Sequence, residues 1–177
     1  MIQKNNNLTA GAIVFVMLLG SPFANALESD SEQPITIDSN TATYDDAKGV
    51  SIYTGNVLSV QGSIRVNSDR LVVYFIEGNP EKLVFTGVPA KFRQTPNPGE
   101  EDIIGQALTG EYYPKKNLLV LIDQAIVWQG NGTYSSKLIE YDSKNAIVKA
   151  GEKTSDSKRV HVVLQPKPKD KTKEESN

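Results

Sequence analysis

The chain contains no cysteine, and among its 177 residues it has one histidine, one tryptophan and two methionines. Without cysteine there are no disulfides, no thiolate metal site and no lipid-modified N-terminal cysteine, so a core must hold by packing alone. The lone His161 has no second histidine to share a metal and no nucleophile motif nearby. A His/Cys zinc set and a Ser-His-Asp relay are therefore not expected, and neither a metal nor a cofactor is expected. Nineteen basic side chains against 21 acidic ones leave a net charge of −2, which gives no electrostatic footprint for nucleic acid. Nothing after residue 26 matches the run of ~20 apolar residues that spans a bilayer.

What is present begins with a leader. Lys4 supplies a positive start, residues 8–19 form an apolar run broken only by Thr9 and Gly11, and Ser21-Pro22 ends it. Ala24-Asn25-Ala26 then offers a small-x-small cleavage site, so residues 1–26 read as a secretory signal peptide cut after Ala26. The mature chain is expected beyond the inner membrane. Residues 27–33 are acidic and serine-rich, and residues 165–177 alternate proline with charge, so both read as loose, solvated ends. One ordered domain is expected over residues 34–164.

Inside it the residues alternate in strand fashion. Ile35-x-Ile37, Ile64-x-Val66, Leu71-x-Val73-x-Phe75, Leu83-x-Phe85 and Leu119-x-Leu121 each put apolar residues on one face. Turn residues punctuate them at Lys48-Gly49, Gln61-Gly62, Gly78-Asn79-Pro80, Gly130-Asn131-Gly132 and Lys144-Asn145. An all-β roll of antiparallel strands with a hydrophobic interior follows. The spacing also repeats. Gln61, Gln94 and Gln129 each follow a β-rich run, and Thr54-Gly55-x-Val57 recurs as Thr86-Gly87-Val88. Tyr44-x-x-x-Lys48-Gly49 recurs as Tyr112-x-x-x-Lys116-Asn117, with a shortened copy at Tyr141-x-x-Lys144-Asn145. Glycine and asparagine tolerate positive φ, so these copies are expected to make similar turns. A strand-rich period of about thirty residues suggests stacked layers, each burying its apolar face on the next.

Ile35, Ile37, Ile64, Val66, Leu71, Val73, Leu83, Phe85, Phe92, Leu119 and Leu121 are expected to point inward. They make either a dry core or, if the roll stays slightly open, a greasy channel. An open roll also leaves an unpaired strand at each end, and such edges invite strand addition. Residues 35–37 and the apolar run Val160-His161-Val162-Val163-Leu164 are the two expected edges, whose head-to-tail pairing does not close. Asp45-Asp46 and Glu100-Glu101-Asp102 sit in turns and loops, without the facing apolar-set geometry of a glycosidase; no enzyme is expected. A scaffold of stacked layers and a polysaccharide-active envelope protein are the alternatives.

Gln33-Pro34-Ile35-Thr36-Ile37, Tyr53-Thr54-Gly55-Asn56-Val57, Val60-Gln61-Gly62 and Ile64-x-Val66-Asn67-Ser68-Asp69-Arg70-Leu71-Val72-Val73 stand in order along the chain. Pro89-Ala90-x-Phe92-x-Gln94 and Gly105-Gln106-Ala107 with Tyr112 continue the series. Together they resemble the OstA-like periplasmic domain family over nearly the whole ordered domain. The series departs at Ile122-Asp123-Gln124-Ala125, where a second Thr-Gly-Asn-like turn would be expected. The resemblance implies a twisted β-jellyroll open along one side. It also implies that the roll carries lipopolysaccharide by its lipid A part and joins end to end with further copies. At the ends of that bridge stand a membrane-tethered inner-membrane component and an outer-membrane receptor. It assigns Ile35 and Ile37 to lipid contact and to the joint with a neighbour, and Phe92 and Tyr112 to the interior lining.

Overall fold

The computed structural model describes residues 30–97, 99–151 and 159–166. The leader and its cleavage site lie outside these, as does most of the polar tail. Among the described residues ten strands form one antiparallel sheet: β1 (Ile35–Asp38), β2 (Thr41–Asp45), β3 (Val50–Gln61), β4 (Ile64–Ile76), β5 (Asn79–Gln94), β6 (Ile103–Tyr113), β7 (Leu118–Gln129), β8 (Gly132–Asp142), β9 (Ile147–Ala150) and β10 (His161–Leu164). The order is β1-β3-β4-β5-β6-β7-β8-β10, with β2 beside β3 and β9 beside β8. Each edge is therefore made of two short strands, β1 with β2 on one side and β9 with β10 on the other. The sequence runs alone did not indicate β2 or β9 as edge strands.

The six central strands have 11 to 16 residues, longer than the usual 3–10. Each is interrupted midway. The ladders slip between Thr54 and Val57, Asn67 and Arg70, Thr86 and Ala90, Gln106 and Thr109, and Ile122 and Ala125. Bulges bend a strand and raise its twist, and this row of bulges forms a crease along which the whole sheet folds onto itself. Where the two inner faces converge, there is room only for small side chains. Val57, Ser68, Ala90, Ala107, Ala125 and Ser136 stand there in turn on β3 to β8. Ala90, Ala107 and Ala125 are at most 1% exposed. At the departure in the family series the same bulge is present: Asp123 and Gln124 take φ of 60° and 53°, as Gly55 and Asn56 take 81° and 47°. The fold there is unchanged although the residues differ.

The repeat has a different meaning from stacked layers. One period is one hairpin of the meander, so successive copies lie side by side in the sheet. Gln61, Gln94 and Gln129 end β3, β5 and β7 on one rim. The Tyr-x-x-x-Lys turns lie on the opposite rim, and Gly49 and Asn117 both adopt the expected positive φ. The shortened third copy is a correction: its positive φ falls on Ala146. Asn145 is held by Asp142, which accepts from both its backbone and side-chain N–H groups, so the left-handed residue moves one place on. The second edge also begins one residue later than expected. Val160 precedes β10, makes no ladder pair, and lies beside Gly151.

Candidate functional site

Folding along the crease brings the two rims together and encloses the inner face. Ile64, Val66, Leu71, Val73, Leu83, Phe85, Phe92, Tyr112, Leu119 and Leu121 are all buried within one cluster. Ile35 and Ile37 pack against it from β1, half-buried. Every interior position expected from the sequence is thus on the inner face, joined by Val57, Ile103, Val127, Ile139 and Tyr141, which the alternating runs had not singled out. The halves meet through specific contacts. The Phe92 and Tyr141 rings meet edge to face at 6.1 Å. Leu121 Cδ1 lies so close to Gly105 that a Cβ there would stand 2.9 Å from it. Within one half, the Phe85 ring covers Gly110, its register partner on β6, and leaves no space for a side chain.

Among the described residues the interior leaves little open space in this conformation. Its inner cavity, lined by Ile35, Ser59, Gln61, Ile64, Val66, Leu71, Leu83, Phe85 and Tyr112, measures about 10 Å³. That is room for about one water molecule, whereas ligand pockets typically hold ~300–1,000 Å³. The rims are held shut by polar groups rather than by a ladder. Tyr141 Oη donates to Gln94 Oε1 at 3.0 Å, and Gln129 Nε2 donates to the Ala146 carbonyl at 2.7 Å. Burial pushes both the Tyr141 and Tyr112 hydroxyls well above the usual tyrosine range, so both stay protonated donors.

A 3-10 turn at Asp30–Glu32 lies across the glutamine rim. Asp30 accepts from the Ser63 backbone N–H at 2.6 Å, the Ser63 hydroxyl at 2.8 Å and Gln94 Nε2 at 2.7 Å. Gln61 Nε2 donates to the Ser31 and Gln33 carbonyls. The acidic, serine-rich composition of residues 27–33 alone predicts a loose N-terminus, because the partners that hold this turn are distant in the chain. Hydrogen bonds to a charged group contribute roughly 1.5–3 kcal/mol each at most. Replacing Asp30 with alanine is expected to destabilise the fold by about 1–3 kcal/mol, a fall in Tm of roughly 2–12 °C for a chain of this size, measured by thermal melting.

Three of the turn and loop carboxylates are engaged by neighbouring side chains. Asp45 bonds Lys48, Asp46 accepts from Tyr44, and Asp102 accepts from Thr95 and pairs with Arg93. The Thr95 hydroxyl and the Arg93 guanidinium hold Asp102 below the usual carboxylate range. Trp128 is half-buried, between the buried Val127 and the strand end. His161 is exposed on β10.

The edges carry apolar side chains. On β10 Val162, Val163 and Leu164 are exposed, Leu164 at 71%, while Ile35 and Ile37 alternate inward on β1. The path from β1 to β10 holds eight strands joined by seven antiparallel pairings, an odd number of reversals, so β1 and β10 run antiparallel to each other. Both occupy the glutamine-rim half, β1 opposite Leu58–Gln61 and β10 opposite Gly132–Ser135.

Comparison with known proteins adds relatives of stated name. Residues 36–147 match the family described as LptA/(LptD N-terminal domain) LPS transport protein. The chain is 38% identical over 157 residues to the lipopolysaccharide export system protein LptH of Pseudomonas aeruginosa, covering 85% of this chain and 90% of that one. It is 32% identical over 166 residues to the lipopolysaccharide export system protein LptA of Escherichia coli, covering 92% and 88%. The fold is similar to the crystal structure of LptH, the LptA-homologous periplasmic component of the lipopolysaccharide transport device of P. aeruginosa. The TM-score is 0.72 and the identity 34%, over 78% of this chain and 100% of that one.

Proposed function

This chain belongs to the LptA/LptD N-terminal-domain family of lipopolysaccharide transport proteins, and on that premise we propose that it is a periplasmic carrier that passes lipopolysaccharide between the membranes. The observation that carries the reading is one apolar interior running between two unclosed sheet edges. Each acyl methylene exposed to water costs about 0.8 kcal/mol, so a chain of about a dozen carbons costs on the order of 10 kcal/mol. An apolar interior removes most of that cost and leaves the sugars outside. No bond is made or broken.

The lining in this reading is Ile35, Ile37, Ile64, Val66, Leu71, Val73, Phe85, Phe92, Tyr112, Leu119 and Leu121. Because the inner cavity measures about 10 Å³, the acyl chains enter by parting the rims, whose polar contacts open at lower cost than a strand ladder. The antiparallel relation between the two edges allows a second copy to add its β10 antiparallel to β1 with crease beside crease. The interior then continues from one domain to the next. The same edges would receive the membrane-tethered component at one end and the outer-membrane receptor at the other. Export by the leader fits this location, and N-terminal sequencing of the exported protein is expected to begin at Leu27.

Binding of intact lipopolysaccharide compared with its deacylated form tests the reading. A carrier of acyl chains binds the intact molecule and not the deacylated one. Equal binding of both would favour the polysaccharide-active alternative, which the names of the relatives do not favour.

A further inference from the structure

The internal repeat contains the same glutamine–tyrosine pair twice, once joined and once parted. Gln94 ends β5, and Tyr141 stands before the rim turn three strands on, at β8; they are hydrogen-bonded at 3.0 Å. One hairpin earlier, Gln61 ends β3 and Tyr112 stands before the rim turn three strands on, at β6. Both glutamines use Nε2 in the same way, to hold the N-terminal turn. Yet Gln61 Oε1 and Tyr112 Oη are buried without a partner. The two residues are 5% and 3% exposed and line one cavity, whose other walls include Ile35, Leu83 and Phe85.

Buried polar atoms are almost always bonded, and leaving one unmade costs about 1–3 kcal/mol. The equivalent pair shows that this fold can join the two groups, so their separation here asks for a third group. Gln61 Oε1 needs a donor, and the Tyr112 hydroxyl needs an acceptor. A single hydroxyl supplies both. We propose that the Gln61–Tyr112 gap recognises a hydroxyl carried on an acyl chain in the apolar interior, giving the carrier a preference for hydroxylated over plain acyl chains. This rests on the lipid-carrier reading and names the feature of the lipid that one point of the interior reads.

The probes are a long-chain fatty acid and its β-hydroxy derivative of equal length, titrated against the full chain, Tyr112→Phe and Tyr141→Phe. Wild type is expected to bind the hydroxylated acid about 3- to 10-fold more tightly, the worth of one or two net hydrogen bonds. Y112F keeps the ring that packs the core and is expected to bind both acids equally, losing the 3- to 10-fold preference. Y141F breaks the joined pair and is expected to lower Tm while keeping the preference. If wild type binds both acids equally, or Y112F keeps the preference, the inference is overturned, the carrier reading stands, and the gap holds only a water. If neither acid binds, the carrier reading itself fails.

Discussion

Phe92→Asp is expected to abolish lipid binding while Lys91→Asp leaves it nearly unchanged. The two positions are adjacent on β5 and differ in one respect. Phe92 is 1% exposed, against Tyr141, whereas Lys91 faces water. Removing a buried phenylalanine side chain alone costs roughly 3–5 kcal/mol. A carboxylate in its place has no basic partner among the aromatic and aliphatic groups of the core and adds a desolvation cost. K91D, an exposed change, is expected to stay within about 0.5 kcal/mol of wild type. Binding is compared only between variants whose β-sheet circular dichroism matches wild type. Should F92D fail to fold, Phe92→Leu keeps the core apolar, and its weaker loss of binding with an intact spectrum serves the same end. Equal small effects of F92D and K91D on binding would put Phe92 outside the lipid path.

The second large effect concerns assembly. Deleting residues 160–177 is expected to give a monomer that still binds lipid. β10 is exposed along its whole length and pairs only with β8, so its loss removes little core and leaves the folded halves intact. What it removes is the apolar strand that would add to β1 of the next copy. Light scattering over a range of concentrations checks this. The mass of the full chain is expected to rise with concentration, because heterologous strand pairing does not close, while the truncated chain stays at one copy. A full chain that remains monomeric at high concentration, with and without lipid, would refute self-assembly through these edges.

The runs Ile64-x-Val66, Leu71-x-Val73 and Leu119-x-Leu121 made the inner face legible, because period-2 burial is local information. The crease was not legible. It shifts the alternation within a strand: Phe85 and Phe92 both face inward although an odd number of positions parts them, because the register slips between Thr86 and Ala90. Its inner lining is mostly alanine and serine, which carry little strand signal, and its bulge is made by Gly55-Asn56 in one place and Asp123-Gln124 in another. The rim glutamines were visible as a period, but a period cannot distinguish coils that stack from hairpins that lie side by side. The turn at Asp30–Glu32 escaped notice for a different reason. Its partners, Ser63 and Gln94, lie 33 and 64 residues away, and a polar segment anchored at such range has the composition of a loose end.

In the proposed function, lipid travels through the folded interior. Photo-crosslinking in living cells tests it most directly, with a photoreactive residue placed in turn at Ile37, Phe92 and Leu121 inside and at Lys91 outside. Lipopolysaccharide adducts are expected from the three interior positions and none from Lys91. Adducts from Lys91 with none from the interior would contradict the proposal.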